Sequence, residues 1–171
     1  MKTIYLARHA KSSWNSGAVN DFERPLSNRG EADAARIGEE LYRLNWKPEK
    51  IIASPAIRAK QTCVSLCDQL DFPIINVQWN TDIYAAYMVT LLHILTSLPE
   101  TTNSIMLIGH NPAIEELLIH LCGDETLQNQ TQNNGKLFTT GNVAKISVTV
   151  PWQQVVMSEA KLERLLRPKE L

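Results

Sequence analysis

Residues 104–122 read SIMLIGHNPAIEELLIHLC. Ser104 to Ile108 is an apolar run of strand length, Gly109-His110-Asn111-Pro112 interrupts it, and Ala113 to Cys122 resumes as a helix. A short buried strand that turns directly into a helix is half of a βαβ unit, so the question is whether the pattern repeats. It does. Lys2 to Ala7 is a first strand, followed by a polar loop from Arg8 to Leu26 whose Ser12, Ser13, Asn15, Gly17, Asn20, Asp21 and Pro25 disfavour regular structure. Ser27 or Asn28 can cap a helix through Leu44, with Ala32, Ala35, Ile37, Leu41 and Leu44 on or near one face. Ile51-Ile52-Ala53 is a second strand, and Pro55 opens the way to a helix over Ile57 to Leu70.

Ile74 to Trp79 reads as a third strand and Tyr87 to Leu98 as a third helix. Asp124 to Asn134, rich in Gln, Asn and Thr, has no apolar period and reads as a mobile loop. Val143 to Val150 alternates in the manner of a strand at an edge. The tail from Ser158 to Leu171 leans helical by propensity, although Leu162 and Leu166 also fit a short final strand. No repeat or linker interrupts this order. Strands alternating with helices predict an α/β fold, a three-layer α/β/α sandwich with a mainly parallel central sheet, over residues 1–171 as a single domain.

Composition narrows the function classes. The chain has 171 residues, 44% hydrophobic and 20% charged, and 17 Lys+Arg against 18 Asp+Glu give a formal charge of -1. A domain of that size buries about 70% of its unfolded surface and needs no disulfide or metal to hold a core. The charge balance, without a Lys/Arg run, argues against nucleic acid as a partner. No apolar stretch approaches the ~20 residues of a membrane span, and the N-terminus has too short an apolar run for a signal peptide. The expectation is a cytoplasmic protein with neither nucleic acid nor membrane among its partners. Cys63, Cys67 and Cys122 are an odd count; Cys63 and Cys67 share one helix face and read as small core residues. A metal site built from His93, His120 and the cysteines is the weaker alternative.

In open α/β sheets ligands bind beyond the carboxyl ends of the strands. Two strands deliver histidines there, at Arg8-His9 and Gly109-His110, and a third ends at Ser54-Pro55, just before Arg58. Two arginines and two histidines at one sheet edge suit a phosphoryl group. Arginine's planar fork matches its oxygens, and a histidine can attack phosphorus.

On these residues the chain resembles a known family. ARHAKSSWN, RPLSNRGEADA, SPAIRAKQT and IGHNP occur in the order found in the histidine phosphatase superfamily. LFTTGNVAKI and the closing RPKEL are similar to its SixA-like phosphohistidine phosphatases. The resemblance implies that His9 is the nucleophile that becomes a phosphohistidine, and that Arg8 and Arg58 clamp the phosphoryl group. It makes His110 a second pocket histidine, contacting the phosphoryl oxygens and supplying positive charge when protonated. Asn15 matches a phosphate-contacting Asn in some subfamilies; a plain loop-turn role is the other reading. No cofactor and no metal is implied, and phosphate or sulfate should fit the site.

Two departures matter. The family motif usually has Gly where this chain has Ala10, which a negative φ would tolerate. Many members also carry a glutamate general acid after the third strand. Here the nearest acidic residue is Asp82, with Asp21 and Glu23 as rivals, and each also reads as an exposed loop carboxylate. The expected substrate is therefore a phosphoramidate, whose imidazole leaves without strong acid help. The short interval between Arg58 and His110, with no room for a lid, suits phosphohistidine on a protein such as a phosphotransfer domain. The alternatives are a phosphatase of small phosphate esters, a mutase, or a non-catalytic phosphohistidine-binding module.

Overall fold

The computed structural model describes residues 1–132, 135–155 and 160–171. Six strands form one sheet: β1 (Lys2–Arg8), β2 (Lys50–Ala53), β3 (Gln78–Trp79), β4 (Ser104–Gly109), β5 (Val143–Val148) and β6 (Lys161–Leu166), in the order β3-β2-β4-β1-β5-β6. The first four run parallel to one another, β5 runs antiparallel to β1, and β6 antiparallel to β5. The helices are α1 (Asn28–Arg43), α2 (Ile57–Leu70), α3 (Met88–Thr96), α4 (Ala113–Cys122) and the short α5 (Asp124–Gln128). This is the expected α/β fold around a mainly parallel sheet.

Alternation along β1 builds both layers of core. Ile4 and Leu6 pack with the α3 and α4 residues Leu91, Leu95, Ile114 and Leu117. Tyr5 and Ala7 pack on the other face with Ile37 and Leu41 of α1 and Leu66 of α2. A strand flanked by helices on both faces has no solvent side, which is why it reads as a continuous apolar run. Cys63 and Cys67 are buried in the second cluster, their sulfurs 3.9 Å apart, and Cys122 is buried in the first. Among the described residues no group of three metal-binding side chains gathers, and no helix is long and apolar enough to cross a membrane.

Three local expectations need correction, and one left open is decided. Ile74 to Trp79 is not one strand: Ile74–Asn76 is a 3-10 turn, and only Gln78 and Trp79 pair, with Ile52 and Ala53 of β2. Asp124 to Asn134 does not begin as a loop, because Asp124–Gln128 forms α5 and buries Leu127 in the core; residues 133 and 134 lie outside the described set. β5 is not at an edge, because β6 pairs with it on the side away from β1. The tail, open between helix and strand in the sequence, takes the strand that Leu162 and Leu166 fitted, since that pairing outweighs propensity, while Ser158 lies outside the described residues.

Two glycines hold the loops around β1. Ser27 caps α1 by accepting from the Gly30 amide at 3.1 Å, and a Cβ on Gly30 would lie 2.0 Å from the Lys11 carbonyl oxygen. Gly141 has φ +81°, and its amide reaches the carbonyls of Arg8 (3.2 Å) and His9 (3.1 Å). The segment before β5 is thereby fastened to the end of β1.

Candidate active site

Strand register assembles the site. Arg8 pairs with Gly109 across β1 and β4, and the His9 amide donates to the Gly109 carbonyl at 3.0 Å. The next residue on each strand is a histidine, and the two rings stand 5.0 Å apart. On the other side of β4, the Ser54 amide donates to the Ile108 carbonyl at 3.0 Å. This places the end of β2, and the first turn of α2 with Arg58, beside the same edge.

His9 is buried, only 7% exposed. Its Nδ1 lies 2.7 Å from the Ala10 carbonyl oxygen. A carbonyl can only accept, so Nδ1 carries the hydrogen and Nε2 presents its lone pair. Arg58 Nε donates to that Nε2 at 3.3 Å. Burial first, and then the charges of His110, Arg58 and Arg8, push His9 down to about 3. The ring is therefore neutral at pH 7 and its Nε2 is a nucleophile without prior deprotonation.

His110 differs from expectation in its charge. Burial and then Arg58 push it down to about 4, so it is neutral at pH 7 in this site rather than protonated. Its Nε2 shares a hydrogen bond with Ser54 Oγ at 2.8 Å, and its Nδ1 is buried with no hydrogen-bond partner among the described residues. Positive charge comes instead from the arginines. Arg8 donates to the Phe138 carbonyl at 2.9 Å, while its Nε is likewise buried and unpartnered among the described residues.

Arg58 is held from the polar loop. Its two terminal nitrogens donate to the Asp21 carbonyl (2.6 Å) and to Asp21 Oδ2 (2.9 Å), and the Tyr84 hydroxyl donates to the same carboxylate oxygen at 2.9 Å. Tyr84 also meets the His110 ring edge-on at 5.7 Å and Phe22 at 4.9 Å. Partial burial alone would raise Asp21, but the hydrogen bonds from Tyr84 and Arg58 outweigh it and hold the carboxyl below its usual range.

The structure thus brings together His9, Arg8, Arg58 and His110. Asn15 is exposed on the loop. Asp82 is also exposed, on a surface groove shared with His93 and Lys50, with its amide bonded to Asn80 Oδ1 at 2.8 Å. Of the three candidate acids, Asp21 is the one against Arg58, while Glu23 stays on the exposed loop. Ala10 is not among the residues at positive φ, and its amide donates to Thr62 Oγ1 at 3.0 Å. Ser54 and Tyr84 were missed as site residues. Ser54's position at a strand end was a usable signal, whereas nothing in the sequence around Tyr84 marked it.

The histidine phosphatase superfamily (branch 1) model matches residues 4–79. An uncharacterised chloroplastic protein of Arabidopsis thaliana is 34% identical over 149 residues, covering 82% of this chain and 68% of that protein. The phosphohistidine phosphatase SixA of Escherichia coli is 24% identical over 163 residues, covering 88% of this chain and 91% of its own. Among solved structures, a candidate phosphohistidine phosphatase SixA of Agrobacterium tumefaciens superposes with a TM-score of 0.83 at 27% identity, over 98% of both chains.

Proposed function

Since the chain belongs to the histidine phosphatase superfamily and is a phosphatase, we propose that its substrate is phosphohistidine on a protein, hydrolysed through a covalent intermediate on His9. The carrying observation is the bond from His9 Nδ1 to the Ala10 carbonyl, which leaves Nε2 as a neutral nucleophile between Arg58 and His110. In the first step the bond from Nε2 to phosphorus forms as the substrate's P–N bond breaks, and the substrate imidazole departs with a proton. In the second, water attacks the phosphorus, inorganic phosphate leaves and His9 is restored. Arg8 and Arg58 offset the charge on the equatorial oxygens, and His110 can contact an oxygen through a ring N–H.

Substrate choice follows from the carboxylate. An alkoxide leaving group gains about 10²–10⁴-fold from a placed acid. Asp21, the carboxyl group against Arg58, is held ionised and has no proton to give at neutral pH. A protonated imidazole needs none, which favours a phosphoramidate over an ester. A purely binding module would not need the His9 tautomer poised for attack.

The test compares turnover of a phosphohistidine-bearing phosphotransfer domain with that of p-nitrophenyl phosphate, for the wild type and for His9→Asn. The phosphoprotein should be preferred, and His9→Asn should retain less than about a hundredth of the rate. A preference for the ester would overturn the substrate, and an active His9→Asn would overturn the nucleophile.

A further inference from the structure

We propose that a cationic trough beside the active site docks an acidic surface of the phosphohistidine-bearing protein; this rests on the substrate reading above. Two adjoining cavities, of about 380 and 200 Å³, share Lys11, Lys136, Thr139 and Thr140 in their walls. The first includes Arg8, so the trough begins where the phosphoryl site ends. The second extends to Arg29, Arg167 and Lys169. The two walls together carry six cationic side chains against two carboxylates, Asp33 and Glu115, in a chain whose net charge is -1.

Both carboxylates are turned inward. Glu115 accepts from the Phe138 amide at 2.9 Å and from Asn111 at 3.3 Å, and Asp33 is buried between Arg29 (3.4 Å) and Arg36 (3.9 Å). Arg167 is buried and bonded to the Gln130 carbonyl and Glu170, so it belongs to the frame. Lys11, Arg29, Lys136 and Lys169 are exposed along the trough, Arg29 while also paired with Asp33. They come from four separate segments, the loop after β1, the start of α1, the stretch before β5 and the C-terminal turn, which is why no basic run marks the trough in the sequence.

An acidic protein surface fits better than nucleic acid. Among the described residues no aromatic side chain other than buried Phe138 lines the trough for base stacking, and the chain's net negative charge opposes a long polyanion. Exposed cations of this kind act mainly on encounter with the partner and are screened by salt.

The experiment uses Lys136→Glu/Lys169→Glu, with Lys136→Gln/Lys169→Gln as a graded control. KM and kcat are measured at low and high salt on an acidic phosphotransfer domain carrying phosphohistidine and on the free phosphohistidine amino acid. The charge-reversed pair should raise KM for the protein at least tenfold at low salt, the neutral pair less. The gap should close at high salt, and turnover of the free amino acid should stay within twofold. An unchanged KM for the protein would overturn the docking surface and leave the substrate reading standing. An equal loss on both substrates would overturn it by assigning the lysines to the phosphoryl site. A wild-type enzyme that ignores the phosphoprotein but turns over p-nitrophenyl phosphate would remove the substrate reading and the docking surface with it. Competition by a duplex oligonucleotide, but not by the unphosphorylated acidic domain, would give the trough to nucleic acid and overturn the proposal.

Discussion

Lowering the pH from 7 to 5 should destabilise this fold through its two site histidines. An unfolded imidazole titrates near 6.5 and is almost fully protonated at pH 5, whereas His9 and His110, at about 3 and about 4, remain neutral in the folded chain. The folded values lie below the unfolded one, so the unfolded state binds more protons in this window and stability falls with pH. The descent from 6.5 to 5 at 1.36 kcal/mol per unit costs about 2 kcal/mol for each histidine, or about 4 kcal/mol for the pair. The carboxylates Asp21 and Glu49 are also held below their usual range, but they titrate in a more acid window. Their contribution is present above the usual carboxylate range and is lost only at more acid pH, so it stays nearly constant between 7 and 5. Urea unfolding at the two pH values measures the difference directly. His110→Asn should remove roughly half of it. A wild-type loss below about 1 kcal/mol would show that the histidines are solvated, and would refute their burial as the cause of their neutrality.

Other outcomes follow from the same geometry. Arg58→Lys keeps a charge but loses the fork that spans His9 and Asp21, so kcat/KM on phosphohistidine should fall at least a hundredfold; equal activity would make Arg58 a mere helix-face residue. Asp82→Asn should lower phosphohistidine turnover less than tenfold and His110→Ala far more, and the reverse order in parallel pH–rate profiles would make Asp82 the general acid. Gly30→Ala drives a Cβ against the Lys11 carbonyl and should cost about 2 kcal/mol in urea unfolding; an unchanged midpoint would show that the loop yields freely.

Most of the parallel sheet was readable because its strands are buried on both faces and therefore apolar throughout, as in Leu6-Ala7 and Met106-Leu107. Helix α2 was legible over Ile57 to Leu70, and Ser27 was legible as a cap. What failed were elements whose state is set by distant partners. Gln78 and Trp79 are a strand only where β2 offers them an edge, and Lys161 to Leu166 extends because β5 lies beside it. On α1, Ile37 and Leu41 are buried as expected, but Ala34 is buried and Ala32 exposed, since small residues carry little directional signal. In the site, the Arg-His pairs at strand ends announced His9 and His110. The neutrality of His110 depends on how deeply it is packed and on Arg58, neither of which a linear sequence displays. Asp21 was visible as a loop carboxylate, but its grip on Arg58 exists only once the loop folds back over α2, where the Ile57 amide meets the Phe22 carbonyl at 3.0 Å.

The pairing of Arg8 with Gly109 brings together residues about a hundred positions apart in the chain. No local segment, however well formed, can hold His9 against His110, and the entropy of closing so long a loop must be met before that contact exists. Enzymatic activity in this protein therefore reports the completed zipping of its central strands. A collapsed chain with all its helices but a slipped β1 would look native to a helix-sensitive probe and yet be catalytically silent, so regain of turnover is the stricter clock for folding.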